Sequence, residues 1–183
     1  MNRAHDWIVR QAEQGSQTSY TLTADHRQMA CIVGRSGIIQ ASEKREGDGF
    51  SPAGSWPLRA VFYRSDRIAP PQTGNCEIAV HPITGKMGWC DEPHSNFYNQ
   101  LIALPFTESY EHMMRQDSLY DIVVVLGHND APVLPNFGSA IFLHCRETDT
   151  AFTAGCVALF KEELCWLLAR AVSSQHIRII EIR

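Results

Sequence analysis

Apolar and polar positions alternate with a period of two along most of the chain, the spacing that places successive side chains on opposite faces of a strand. Residues 19–23 and 28–33 carry this pattern with β-branched and apolar residues. The turn Gly34-Arg35-Ser36-Gly37 then leads into residues 38–42, a hairpin signal. Further strands are predicted at 56–63, 76–81, 139–143 and 177–182. The run 120–127 differs, because its five successive apolar residues from Ile122 predict burial on both faces. Only one stretch has helical spacing. Phe160, Leu164, Leu167, Leu168 and Ala171 make one stripe over 161–171. Glu162 and Glu163 in its first turn and Arg170 near its last suit the helix dipole. Residues 44–54 are rich in Gly and charge and are expected as a loop. Residues 91–99 are irregular, and 108–114 are expected as a short helical turn after Pro105. Residues 1–18 are polar and weakly patterned, an arm or short helix, and 19–183 form one domain. Many short strands with one late amphipathic helix predict a mainly β sandwich or barrel.

Composition narrows the function classes. A length of 183 residues and a hydrophobic content of 44% suit one domain with a real core. A net charge of −4, with no basic run, argues against a nucleic-acid partner. No segment has transmembrane length, and Met1 to Arg10 has no apolar core of signal-peptide length. The six cysteines form no CxxC pair, which speaks against zinc ribbons and thioredoxin-type motifs. Their scatter fits reduced thiols better than a disulfide framework.

The candidate chemistry lies between Gly138 and Leu159. A strand delivers His144, a polar loop follows, and Gly155-Cys156 opens another apolar run. A thiol needs a base to become a nucleophile near neutral pH, and imidazole is the usual one. Cys156 is therefore the candidate nucleophile and His144 the candidate base. The Gly155-Cys156 turn can aim backbone N–H groups at a developing oxyanion. Thr153 can brace that turn through its hydroxyl. Cys145, one residue past His144, is expected on the opposite face of the strand. His128, His144 and Cys156 have zinc-compatible ligand types, but nothing in their spacing demands a metal, and no metal or cofactor is expected.

Thr153-Ala154-Gly155-Cys156-Val157, with His144 upstream, resembles the signature of the L,D-transpeptidase catalytic domain, the YkuD family. Further elements share the likeness in the same order: Lys44-Arg45-Glu46-Gly47-Asp48-Gly49 with Ser51-Pro52-Ala53-Gly54, Trp89 to Pro93 with Tyr98-Asn99, and Leu119-Tyr120-Asp121 leading to His128-Asn129. Two positions depart from the family pattern. Ala154 stands where many members carry a second His, and Ala158 where many carry Asn or Arg. The resemblance implies remodelling of bacterial peptidoglycan through a cysteine thioester, with donor and acceptor stem peptides as partners and sensitivity to carbapenems. It implies an imidazole oriented by a backbone carbonyl, and a groove shaped by residues 44–54. It also makes His128, Tyr98, Asn99, Trp89 and Ser139 candidates for substrate contact. Work on the cell wall implies the periplasm or cell envelope, whereas the lack of a visible signal leaves the cytoplasm as an alternative. The rival functions are an L,D-carboxypeptidase or other thiol hydrolase acting on muropeptides, and a catalytically silent wall-binding domain.

Overall fold

A computed structural model describes residues 6–12, 19–148 and 152–181. Ten strands build one sheet: β1 (Trp7–Gln11), β2 (Tyr20–Ala24), β3 (Arg27–Cys31), β4 (Gly37–Gln40), β5 (Phe50–Tyr63), β6 (Ala79–Pro82), β10 (Ile122–Leu126), β11 (Phe142–Arg146), β12 (Val157–Phe160) and β13 (His176–Ile179). A smaller sheet holds β7 (Met87–Cys90), β8 (Leu101–Ala103) and β9 (Tyr110–His112), with β7 in the middle. Among the described residues one helix forms, α1, which spans Lys161–Leu168. The main path runs β12-β11-β10-β5-β13-β1-β2-β3. Its two ends then meet, because Ile32 N–H donates to Ala158 O at 3.1 Å and Ala158 N–H to Ile32 O at 2.9 Å. The sheet is thus nearly closed, and the expected mainly β, barrel-like architecture is what forms.

β10 shows why an unbroken apolar run marks a central strand. Ile122, Val124 and Leu126 pack into one core with the helix residues Leu164, Leu167 and Leu168. Val123 and Val125 pack into a second core with Phe142, Tyr120 and Cys156. The first core fills the barrel side and the second underlies the candidate site.

Several expectations change. Trp7–Gln11 is not an arm or a helix: it pairs in parallel with β13 and antiparallel with β2, and Trp7 and Val9 enter the core. The other expected arm residues, 1–5 and 13–18, lie outside the described residues. The hairpin is β2–β3, turning through Asp25 and His26 in the left-handed region, whereas β4 pairs in parallel with β5. The expected loop 44–54 holds only as far as Gly49, because β5 begins at Phe50. The expected helical turn within 108–114 is the strand β9, pinned by register to Trp89 and Cys90. The helix stops at Leu168, three residues short of the apolar stripe, with Ala169 N–H returning to Cys165 O.

Candidate active site

β11 does not end at His144 but runs through it to Arg146. It pairs in parallel with β12, with His144 beside Ala158. Cys156 precedes Ala158 by two residues and so presents to the same face as His144. Cys145 points the other way, into the barrel core, as its position predicted. Cys156 and His144 line one cavity of about 300 Å³, together with Ser139, Ala140, Tyr120 and Arg115. The closing contact of the barrel explains the placement, because Thr153 and Ala158 are both bridged to the segment after β3.

The turn that carries the thiol is held from several sides. Gly155 has φ +151°, and a Cβ there would lie 2.9 Å from Phe50 O, so only glycine fits. Thr153 Oγ1 donates to Cys156 O at 2.6 Å and accepts from Gly155 N–H at 3.2 Å. The Gly155 N–H is therefore already engaged. A further brace escaped notice in the sequence. Ser51, fully buried, donates to Gly155 O at 2.7 Å and accepts from Gly34 N–H at 2.9 Å. Its only signal was its place in the Ser51-Pro52-Ala53-Gly54 element. Ser51→Ala would orphan a buried donor and a buried acceptor, at a cost of about 2 kcal/mol. The expected result is a melting temperature lower by roughly 5 °C in calorimetry; an unchanged transition would show that these bonds carry no net stability.

His144 Nδ1 lies 2.7 Å from the Cys145 carbonyl oxygen. A carbonyl only accepts, so Nδ1 carries the proton and Nε2 is the nitrogen able to take one. The thiol is turned elsewhere: Cys156 Sγ donates to Ala140 O at 3.1 Å and accepts from Phe142 N–H at 3.4 Å. Both groups are nearly sealed, with 8% of Cys156 and 6% of His144 exposed. Burial is the main reason that His144 is lowered to about 4 and Cys156 raised to about 12. The gap is far too wide for a resting thiolate–imidazolium pair, so thiol and imidazole are both neutral.

These shifts predict a bounded stability plateau. Unfolded chains protonate His144 near pH 6.5, while the folded protein resists to about 4. The unfolded state therefore binds more protons in that window, and stability falls as pH drops through it. Unfolded thiols ionise near 9, while folded Cys156 and Cys145 keep their protons to about 12. Stability then falls again as pH rises above about 9. Urea midpoints should be highest between about pH 6.5 and 9, and the unfolding free energy should be lower by a few kcal/mol at pH 4. A midpoint unchanged from pH 7 to 4.5 would contradict a buried neutral imidazole.

Of the other candidate residues, Ser139 lines the cavity and donates to Glu46 Oε2 at 2.7 Å. His128 is buried beneath the following loop, with Nε2 2.9 Å from Phe137 O and its ring edge-on to Trp56. Tyr98 and Glu46 share a hydrogen bond, and Gly138 N–H donates to the Tyr98 hydroxyl at 3.1 Å. Trp89 Nε1–H donates to Asn99 Oδ1 at 3.0 Å, and its ring packs edge-on against Phe142. His128, Tyr98, Asn99 and Trp89 do not border the cavity that holds Cys156; Tyr98 and Asn99 bond to the segment 138–140 beside it, His128 to Phe137 O just before it, and Trp89 to Asn99. Lys44 and Glu46 do border the cavity. Lys44 is itself buried and paired to Asp48 at 2.6 Å. The charged rim was not foreseen. There Arg115 pairs with Glu111 at 3.0 Å and Asp117 at 2.7 Å and lies over the Tyr120 ring. Among the described residues no three His, Cys, Asp or Glu side chains converge as a metal site, and no helix is long and apolar enough to cross a membrane.

Fold and site together define a mainly β protein with a cysteine on a glycine turn and a histidine on the adjoining strand, facing one cavity. The family model of the L,D-transpeptidase catalytic domain, YkuD, matches residues 7–179, and the chain belongs to this family. The match begins at Trp7, which agrees with β1 being part of the domain. No curated protein and no solved structure matches the chain.

Proposed function

We propose that this protein is a peptidoglycan L,D-transpeptidase working through a Cys156 thioester. The observation that carries the reading is the shared face of Cys156 and His144, on paired strands and in one cavity, with the imidazole oriented by the Cys145 carbonyl. Cys156 Sγ attacks the amide carbonyl that follows a diaminopimelate-type L-centre in the donor stem. The thiol proton passes to His144 Nε2 and then to the departing D-alanine amine. The side-chain amine of a second stem attacks the thioester and gives up a proton to His144, and the sulfur leaves and recovers that proton. Backbone N–H groups at Gly155–Cys156 are assigned to the oxyanion; for Gly155 this means releasing Thr153 Oγ1. The neutral resting pair implies that the proton moves only as attack develops. The work of such an enzyme places it in the periplasm or cell envelope.

The test is incubation with defined muropeptides and mass analysis of the products. Cross-linked dimers with loss of D-alanine are expected, together with a carbapenem adduct on Cys156. Trimmed monomers alone would replace the assignment with a carboxypeptidase. Neither turnover nor adduct would leave a wall-binding domain.

A further inference from the structure

We propose that Asn99 is a positioning residue for Cys156, acting through the Ala140 peptide to hold the thiol protonated and aimed until substrate arrives. This rests on Cys156 being the nucleophile. Asn99 is buried, and its side chain is fully committed inside the protein. Oδ1 accepts from Trp89 Nε1–H at 3.0 Å and from Ala140 N–H at 3.0 Å. Nδ2 donates to His128 O at 3.1 Å and to Asn129 O at 2.8 Å. An asparagine amide has two donors and two acceptor sites, so none is left over for a substrate.

What this network fixes is the Ala140 peptide. Ala140 has φ +51°, a left-handed conformation that alanine rarely adopts unaided. Asn99 holds its N–H, and the carbonyl of the same residue receives the Cys156 thiol at 3.1 Å. One residue thus links the two bonds. A hydrogen bond donated by S–H favours the protonated form. It also turns the proton away from His144. Substrate entering the cavity must displace Ala140 O before the proton can reach Nε2.

Other groups also act on the sulfur. Phe142 N–H comes from β11. Glu111 from β9 raises the thiol's pKa, and Lys44 from the loop before β5 lowers it. Tyr120, just before β10, faces both the sulfur and the imidazole. None of these groups bonds to Asn99. The other route from Asn99 to the sulfur runs through Trp89, whose ring packs 5.2 Å from that of Phe142.

The readout is the pH dependence of Cys156 alkylation by iodoacetamide, followed by peptide mass, alongside turnover of muropeptides. Asn99→Gly deletes the side chain yet tolerates the residue's φ of +57°. It is expected to alkylate about tenfold faster at pH 7 to 8, as for a thiol pKa lower by about one unit, while turnover falls about tenfold. Trp89→Phe keeps the Asn99–Ala140 bond and should retain the wild-type alkylation profile. A folded Asn99→Gly protein with the wild-type profile would overturn the proposal. So would a folded Trp89→Phe protein that alkylates fast, since the Asn99–Ala140 bond is then intact, and this settles the matter even if the glycine variant does not fold. Absence of turnover in the wild type, with the alkylation shift present, would instead remove the transpeptidase reading and leave the thiol's positioning standing.

Discussion

Cys156→Ala is expected to lower formation of cross-linked muropeptides by about 10⁴-fold or more, because loss of a covalent nucleophile leaves only binding and electrostatic contributions. The substitution should not unfold the protein. It removes one thiol from a cavity wall and two sulfur hydrogen bonds, to Ala140 O and from Phe142 N–H, while the Thr153 and Ser51 braces act on backbone atoms and remain. Circular dichroism should show a melting curve close to wild type, and intact-mass analysis should show no acyl adduct with donor stem or carbapenem. A folded alanine variant that retains more than about a hundredth of the activity would rule out the thioester route.

His144→Ala is the second large effect, with an expected loss of about 10²- to 10⁴-fold in turnover. The reason is specific to this site. The Cys156 thiol is pushed up to about 12 by burial, so it has no appreciable thiolate of its own at neutral pH. In the proposed mechanism a base within the cavity removes the proton during attack, and the His144 imidazole, oriented through Nδ1, lines that cavity together with Cys156. Its depressed pKa of about 4 adds a signature in the pH profile. The acidic limb of kcat/KM for the wild type should lie well below pH 6.5, and it should vanish in His144→Ala. A limb that stays in place in the variant would assign the base elsewhere.

Local pattern reached far into this protein. The five apolar residues of β10 announced a strand buried on both faces, and that is where the two cores meet. Cys145 was legible as a core thiol from its parity with His144 alone. The glycine before Cys156 and the Thr153 hydroxyl were legible because a turn places its own demands on nearby residues. β1 was missed, since its partners β2 and β13 include the far end of the chain and a short strand has little pattern of its own. β9 was read as a helical turn because Pro105 and mixed polarity hid an alternation that only pairing with β7 enforces. Trp89, Tyr98 and Asn99 were read as loop groups available to substrate, yet their polar atoms are spent inside the protein: Tyr98 on Glu46 and Gly138, Asn99 on Ala140 and the His128 and Asn129 carbonyls, and Trp89 on Asn99. No spacing rule reveals which backbone amide a side chain will meet.

The sequence by itself determined the class of fold, the family, and the two side chains that carry the proposed chemistry, because strand periodicity and a nucleophile's turn are written in residues close together. Only the tertiary structure decided how the thiol and imidazole rest: neutral, on one face, with the sulfur turned to Ala140 rather than to His144. That outcome depends on burial and on hydrogen bonds between segments tens of residues apart, from Ser51 to Gly155 and from Asn99 to Ala140. Solvent exclusion and long-range pairing are properties of the nearly closed barrel and not of any stretch of chain.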